Sequence, residues 1–152
     1  KNRYGMGQLK EMVYGEAGAQ FDTVPARPVS AVVPVDFALP GCPIDRDEFI
    51  RTVRDIALGK TPRLPEYPVC VECKKKENVC VFFQGKFCMG PVTRAGCGAI
   101  CPSYGDGCEG CRGFIDDPNE NAHKETLARF GLTPREVMQH FDLFNSYSET
   151  EA

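Results

Sequence analysis

Eight cysteines lie between positions 70 and 111, in two blocks of four, and they restrict the possible folds of this chain more than any other feature. Each block contains one CxxC pair and enough thiols for one four-coordinate metal site. The same stretch is crowded with glycine, so it cannot build a large hydrophobic core, and bound metal can take the place of such a core. We therefore predict two metal sites in tandem, the first from Cys70, Cys73, Cys80 and Cys88 and the second from Cys97, Cys101, Cys108 and Cys111.

The nine cysteines of the chain fit three kinds of chemistry. A disulfide framework suits secreted proteins, but an odd count leaves one thiol over, and the remaining composition is not that of a small secreted scaffold. Zinc explains the CxxC pairs. Iron–sulfur clusters use the same four thiolates and suit glycine-rich surroundings, where backbone N–H groups can donate to sulfur. Proline follows both Cys42 and Cys101, as in the ligand runs of ferredoxins, and this detail favours iron, with zinc as the alternative.

The overall composition argues against several classes of function. A formal net charge of −3 is too small to indicate nucleic acid or an acidic membrane as a partner, and no apolar stretch is long enough for a transmembrane helix. No Ser-His-Asp pattern, phosphate loop or nucleotide fingerprint indicates an independent enzyme. The one compact basic run, from Lys74 to Lys76, can offset the charge of a nearby metal site or steer an acidic redox partner. A solvated loop is the simpler interpretation of that run.

The segment before the cysteine blocks carries three element patterns. Apolar spacing predicts a short helix over residues 6–14 that stops at Gly15. The valine-rich stretch from Val29 to Leu39 predicts a buried strand that leads into Gly41-Cys42-Pro43. A helix should then begin at Asp45, with Glu48 three residues later, and end before Gly59. Its apolar face is expected to pack on a sheet and consists of Phe49, Ile50, Val53, Ile56 and Ala57.

Two further helices are predicted after the cysteine blocks, one over residues 121–130 and one that starts at Thr133-Pro134-Arg135-Glu136, a capping pattern. The second helix carries an apolar packing stripe of Val137, Met138, Phe141 and Phe144. His123 and His140 lie on these predicted helices, away from the cysteine blocks, and are interpreted as surface or packing residues rather than ligands.

Longer motifs surround the cysteines. They read Pro40-Gly41-Cys42-Pro43, Val71-Glu72-Cys73-Lys74, Asn78-Val79-Cys80, Gly90-Pro91-Val92-Thr93-Arg94-Ala95-Gly96-Cys97-Gly98-Ala99-Ile100-Cys101-Pro102-Ser103-Tyr104 and Gly107-Cys108-Glu109-Gly110-Cys111. With these motifs the chain resembles, over nearly its whole length, the small electron-transferring subunit of cytosolic nickel-iron hydrogenases. The resemblance is strongest to the delta-type subunit of NAD(P)-linked sulfhydrogenases and to the small subunits of F420-reducing and non-reducing enzymes.

The resemblance implies three 4Fe–4S clusters, two of them held wholly by this chain. It assigns the first cysteine block to a distal cluster and the second block to a medial cluster. Cys42 resembles the last of four ligands of a proximal cluster. The other three proximal ligands of the family lie upstream of the helix at residues 6–14 and are absent from this sequence. We expect that the sequence is a fragment; the alternative is that the proximal cluster has been lost.

The resemblance also implies fold and partners. We expect an α+β chain in which residues 1–60 are the C-terminal remnant of a flavodoxin-like α/β domain and residues 61–69 form a proline-rich linker. Residues 70–113 would form a loop-rich two-cluster segment, followed by C-terminal helices over residues 114–152. The implied role is that of a cytoplasmic, non-catalytic subunit of an oxidoreductase. It would bind the nickel-iron large subunit and a flavin- or iron–sulfur-containing acceptor subunit. An iron–sulfur relay of another oxidoreductase and a zinc-stabilised structural module are the alternatives.

Overall fold

A computed structural model describes residues 4–22 and 27–145, and their regular structure is helical. The α-helices are α1 (Met6–Tyr14), α2 (Arg46–Ala57), α3 (Val69–Lys75), α4 (Ile100–Ser103), α5 (Glu120–Arg129) and α6 (Pro134–Asn145). Short 3-10 helices cover Gly15–Gln20, Val29–Ala31 and Val81–Gln84. Within the described ranges, extended pairing is limited to two isolated antiparallel bridges, Pro68 with Arg94 and Thr93 with Phe114.

The described residues form two compact units, which divide after Asp36. In the first unit, α1 ends at Gly15, where φ is +57°, as the sequence predicts. The chain then turns into the 3-10 helix that packs against α1. Gly18 is buried where the 3-10 helix meets α1, and a Cβ at this position would lie only 2.7 Å from the carbonyl oxygen of Lys10. Glycine therefore allows the two helices to approach each other closely.

The strand predicted over Val29 to Leu39 is wrong. This stretch begins with the 3-10 helix Val29–Ala31 and continues without regular structure. Val29, Val32 and Val33 are exposed. A strand requires a neighbouring strand to pair its backbone N–H and C=O groups, and no such neighbour lies in the part of the chain that the structure describes. The α+β class and the flavodoxin-like remnant stay predictions.

Helix α2 confirms its predicted start, but the prediction for its apolar face is wrong. The Asp45 carboxylate caps the helix by accepting the backbone N–H of Glu48 at 2.8 Å. The apolar side chains of the helix are about half exposed: Phe49 48%, Ile50 51%, Val53 48% and Ile56 50%. The helix instead turns Glu48 and Thr52 inward. Ion pairing of Glu48, described below, explains this orientation.

The core of the second unit is built around the cysteine segment rather than beside it. Two thiols, Cys88 and Cys108, are themselves part of the core. The other members are Val69, Val81, Met89, Val92, Ala99, Leu127, Val137 and Phe141. Helices α5 and α6 supply the last three and so close the core from the C-terminal side. The loop-rich segment thus shares one core with the helices that follow it.

Both C-terminal helices begin as the sequence predicts. The Asn119 side chain caps α5 by accepting the Ala122 N–H at 3.1 Å. At α6, Glu136 accepts the backbone N–H of Thr133 at 2.8 Å, and the Glu136 N–H donates to the Thr133 hydroxyl at 3.3 Å. This reciprocal pair is a complete capping box.

The proline-rich segment over residues 61–69 has no helix or strand before Val69, where α3 begins. It lies inside the second compact unit. The predicted domain limits at residues 60, 69 and 113 stay predictions. Among the described residues, the helices are too short or too polar to span a bilayer.

Candidate metal centre

The first cysteine block converges through one helix, one turn and one loop. Cys70 and Cys73 lie one turn apart on α3, Cys80 precedes the 3-10 helix Val81–Gln84, and Cys88 follows in a loop. Burial, and after it the nearby Cys88, Cys73 and Cys80, raise the pKa of the Cys70 thiol to about 12. The four thiols are therefore close enough to repel one another when ionised. A bound cation would relieve this repulsion.

Two backbone amides donate hydrogen bonds to the Cys88 sulfur. It accepts backbone N–H groups from Cys108 at 3.3 Å and Gly90 at 3.4 Å. Burial raises the Cys88 pKa, and these two donors oppose that rise. Amide donors directed at a cysteine sulfur stabilise its thiolate form, which is the form that ligates metal. On α3, Cys73 also accepts a weaker contact from the Asn78 side-chain amide at 3.7 Å.

Gly90 occupies a position between two of the sulfurs. A Cβ at this residue would lie 3.2 Å from the Cys88 sulfur and 3.5 Å from the Cys70 sulfur. The residue is buried. Its lack of a side chain therefore keeps open the space beside these sulfurs. This is the arrangement expected where a bulky group has to fit between the thiols.

The second block surrounds a cavity of about 350 Å³. Cys101 lies in the short helix α4, and Cys97, Cys108 and Cys111 lie in the loops on either side. Burial raises the pKa of Cys101 most, and the nearby Cys111 and Cys97 also raise it. Burial also raises the pKa of Cys108 to about 12, and the Gly110 backbone N–H and the nearby Thr93 side chain oppose that rise. All four thiols of this block line the cavity.

Cys42 also lines this cavity, although it comes from a distant part of the chain. Its thiol is exposed. The carbonyl of Pro40, two residues earlier, accepts a hydrogen bond from Arg112 at 2.8 Å. Arg112 directly follows Cys111, so one side chain fixes the Cys42 segment beside the second block. The sequence motifs alone did not predict this adjacency.

Arg112 is a buried anchor that the sequence analysis did not identify. Its side chain is 1% exposed and forms an ion pair with Glu48 at 2.8 Å. It also donates to the carbonyl of Ala95 at 2.8 Å. A Cβ at Gly96 would collide with the guanidinium and the Glu48 carboxylate, and the positive φ of +118° at this residue also requires glycine. The glycine before Cys97 is thus fixed by this ion pair.

Glu72 joins the two cysteine blocks. It lies between Cys70 and Cys73 on α3, yet its carboxylate accepts the N–H of Gly96 at 2.9 Å and of Ala99 at 3.1 Å. These two amides flank Cys97 and Gly98. Ala99 has a left-handed backbone with φ +50°, an unfavourable conformation for a residue with a side chain. Glu72 therefore holds a strained ligand loop of the second block from a helix of the first.

The prediction that both histidines lie away from the cysteine blocks is wrong. His123 is buried against the Phe82 and Phe141 rings and hydrogen-bonds the Cys88 backbone. Burial lowers its pKa to about 4, so the ring is neutral at pH 7. The His140 ring stacks on the Phe87 ring, with 3.8 Å between the ring centroids. Both are packing residues, but they pack on the segment around Cys88.

The residues present fit a cysteine-ligated cluster. Among the described residues, no three Cys, His, Asp or Glu side chains converge as tightly as a single metal ion requires. The thiols of each set instead border open space, beside Gly90 in the first set and around the cavity in the second. In both places the candidate ligand atoms are thiol sulfurs, and polar N–H or hydroxyl groups lie next to them. Thiolates with such donors are the ligands of iron–sulfur clusters.

These features define a class of protein whose fold is organised around two sets of four thiols. Comparison with known proteins shows which members of that class this chain resembles. No protein-family model matches the chain. It is 50% identical over 116 residues to the delta subunit of sulfhydrogenase 2 from Pyrococcus furiosus, covering 76% of this chain and 49% of that protein. It is 32% identical over 179 aligned positions to the vhu G subunit of the F420-non-reducing hydrogenase from Methanococcus voltae, covering 97% of this chain and 62% of that protein.

A third relative, at 28% identity over 117 residues, is the iron-sulfur G subunit of the F420-non-reducing hydrogenase from Archaeoglobus profundus. The chain is similar over most of its length to these hydrogenase delta and G subunits, which confirms the resemblance found in its motifs. It spans about half the length of the relatives it matches.

Proposed function

We propose that this chain is the electron-transfer subunit of a cytoplasmic nickel-iron hydrogenase. It would relay electrons between the nickel-iron centre of a large subunit and a flavin- or iron–sulfur-containing partner. The proposal assigns a distal 4Fe–4S cluster to Cys70, Cys73, Cys80 and Cys88 and a medial one to Cys97, Cys101, Cys108 and Cys111. Such clusters, when bound, accept and release single electrons. Cys42 would supply one ligand to a proximal cluster.

The observation that supports this proposal most strongly is that the two thiol sets are in direct contact. The Cys88 sulfur of the first set accepts the backbone N–H of Cys108 in the second. Gly90 touches both sets, because a Cβ there would lie 3.8 Å from the Cys108 Cβ as well as against the Cys70 and Cys88 sulfurs. Adjacent cofactor sites without an intervening layer of side chains suit a relay. Two independent structural sites would not require this contact.

The residues around the thiols would perform the protein's part of the relay. Backbone N–H groups of Cys108 and Gly90 donate to the Cys88 sulfur, and donors of this kind tune cluster potential. Glu72 and Arg112 hold the ligand loops in register. The Cys42 segment, fixed by Arg112 beside the second set, supports a spatial order in which the medial cluster lies between the proximal and the distal one.

Purification of the tagged subunit from its native cells tests the proposal. We expect a brown complex with a broad visible absorption that dithionite bleaches, and nickel together with iron in the co-purified large subunit. Iron without nickel would favour the relay of another oxidoreductase. A colourless protein with stoichiometric zinc would leave only the structural module.

A further inference from the structure

Four apolar side chains lie exposed at the junction of the two cysteine blocks. The exposed fractions are 66% for Val79, 84% for Phe83, 54% for Ile100 and 86% for Tyr104. The two aromatic rings are exposed to an extent that favours a partner over solvent. We call these four residues the exposed apolar patch.

Hydrogen bonds join the two segments that carry the patch. The Asn78 side chain donates to the Ser103 hydroxyl at 3.0 Å. Further along, the Lys86 ammonium donates to the Gly105 carbonyl at 2.6 Å. Val79 and Phe83 lie on the first segment, between Asn78 and Lys86, the two residues that make these hydrogen bonds. On the other segment, the Tyr104 N–H donates to the Ile100 carbonyl at 3.2 Å, which places Tyr104 one turn after Ile100, at the C-terminal end of α4. The four residues therefore belong to one surface.

Positive charge borders this surface. Lys74, Lys75 and Lys76 end α3 just before the patch, and all three are exposed. The Lys76 ammonium lies against Gly98, two residues before Ile100. Lys86 borders the other side, where it pairs with Asp106. The four lysines outnumber the two exposed acids of the same segments, Glu77 and Asp106.

The patch also adjoins the thiols in the sequence. Cys80 follows Val79 directly, and Cys101 follows Ile100 directly, so one proposed ligand of each set is the chain neighbour of a patch residue. We propose that the exposed apolar patch docks an electron-carrier protein whose contact surface is acidic. This inference rests on the proposed function and names the chemistry of the partner. Apolar centre and charged rim are the usual arrangement of a protein interface, and opposite charge steers the encounter.

Binding measurements on the full chain, reconstituted with iron and sulfide, test this proposal. The probes are a plant-type ferredoxin, which is an acidic electron carrier, and cytochrome c, which is a basic one. We expect calorimetry to show binding of ferredoxin but not of cytochrome c, with an affinity that falls as salt is raised. The pair F83S/Y104S should weaken ferredoxin binding by about tenfold or more. The pair K76Q/K86Q should weaken it mainly at low salt.

The control is the pair F49S/V53S, which removes two half-exposed apolar side chains from α2 in the same unit. It should leave ferredoxin binding unchanged. Equal binding of both probes, or equal loss in the α2 control, would overturn the proposal. Sedimentation that shows the patch joining two copies of this chain would also overturn it.

The visible spectrum of each variant separates this inference from the proposed function. If wild type forms no cluster that dithionite reduces, the proposed function fails. If wild type and F83S/Y104S carry the same reducible clusters but bind ferredoxin equally, only the docking proposal fails.

Discussion

At the scale of single residues, the two kinds of cysteine can be told apart by substitution. Each thiol set has four members in this chain, whereas Cys42 has no upstream partners here. C80S or C101S should therefore reduce the iron bound after reconstitution by about four atoms per chain. C42S should bind as much iron as wild type. Iron analysis and the visible spectrum check this, and an equal loss in all three variants would contradict the assignment of ligand sets.

Gly90 offers a test of the space between the sulfurs. In G90A the new methyl group would lie 3.2 Å from the Cys88 sulfur, tighter than ordinary contact. We expect the first site to load less completely and the protein to lose about 1–3 kcal/mol of stability. G7A is a suitable control, because a Cβ there has no neighbour within 4 Å. Full iron content in G90A would show that this space is not used.

The ion pair of Arg112 with Glu48 should contribute strongly because both partners are buried. R112M leaves the Glu48 carboxylate buried without its cation, which costs about 3–5 kcal/mol. The double variant E48Q/R112M should recover a large part of that loss, because the unpaired charge is gone. Urea unfolding of the reconstituted protein measures both. Equal losses in the single and double variants would contradict an electrostatic origin.

The contacts of Glu72 and Arg112 could not be predicted from the sequence, and the reason is the same for both. The candidate ligand cysteines are recognisable because the other cysteines of each set are nearby in the chain. Glu72 bonds amides 24 and 27 residues away, and Arg112 bonds atoms 64 and 72 residues away. Neither contact leaves a local pattern. The position of Glu48, three residues after the Asp45 cap, marks the start of α2 correctly, but its carboxylate binds Arg112 instead of the cap.

At the scale of elements, local signals succeeded where local chemistry decides. The start of α6 is an example, since its capping box involves residues three positions apart. T133A removes the hydroxyl and should cost about 1 kcal/mol. T126A in α5 is a control that removes a threonine hydroxyl from a helix interior. Thermal unfolding checks the difference, and an equal effect of the two variants would argue against the cap.

The same cap carries a pH signature. Hydrogen bonds from Thr133 hold the pKa of Glu136 below its usual value of 4.5. A lowered carboxyl pKa stabilises the fold above the unfolded pKa, and the effect is lost as pH falls through the folded pKa. The difference in melting temperature between wild type and E136Q should thus stay constant from about pH 7 to pH 5. A difference that shrinks within this range would contradict the shift.

Element predictions failed where distant partners decide. The valines from Val29 onward favour a strand locally, but a strand forms only beside another strand. The apolar pattern of α2 correctly predicted a helix, yet the helix buries its polar side because Glu48 must meet Arg112. Its apolar face is therefore the largest difference between the sequence pattern and the described fold.

At the scale of the whole molecule, the core and the metal sites are one structure. Cys88 and Cys108 are core residues, and the thiols around them have pKa values raised by burial and by one another. Removal of iron with a chelator should therefore cost the second unit its tertiary packing, not only its colour. Near-ultraviolet circular dichroism of the stripped protein checks this. A stripped protein with unchanged packing and cooperative unfolding would show that the apolar core suffices.

The hydrogen bond from Arg112 to the Pro40 carbonyl also has a consequence for how such a chain can evolve. It closes a loop that begins just before Cys42 and ends just after Cys111, so every cysteine of the protein lies inside the closed segment. Insertions and deletions within that segment have to preserve the closure. Changes of length outside that segment leave the closure untouched.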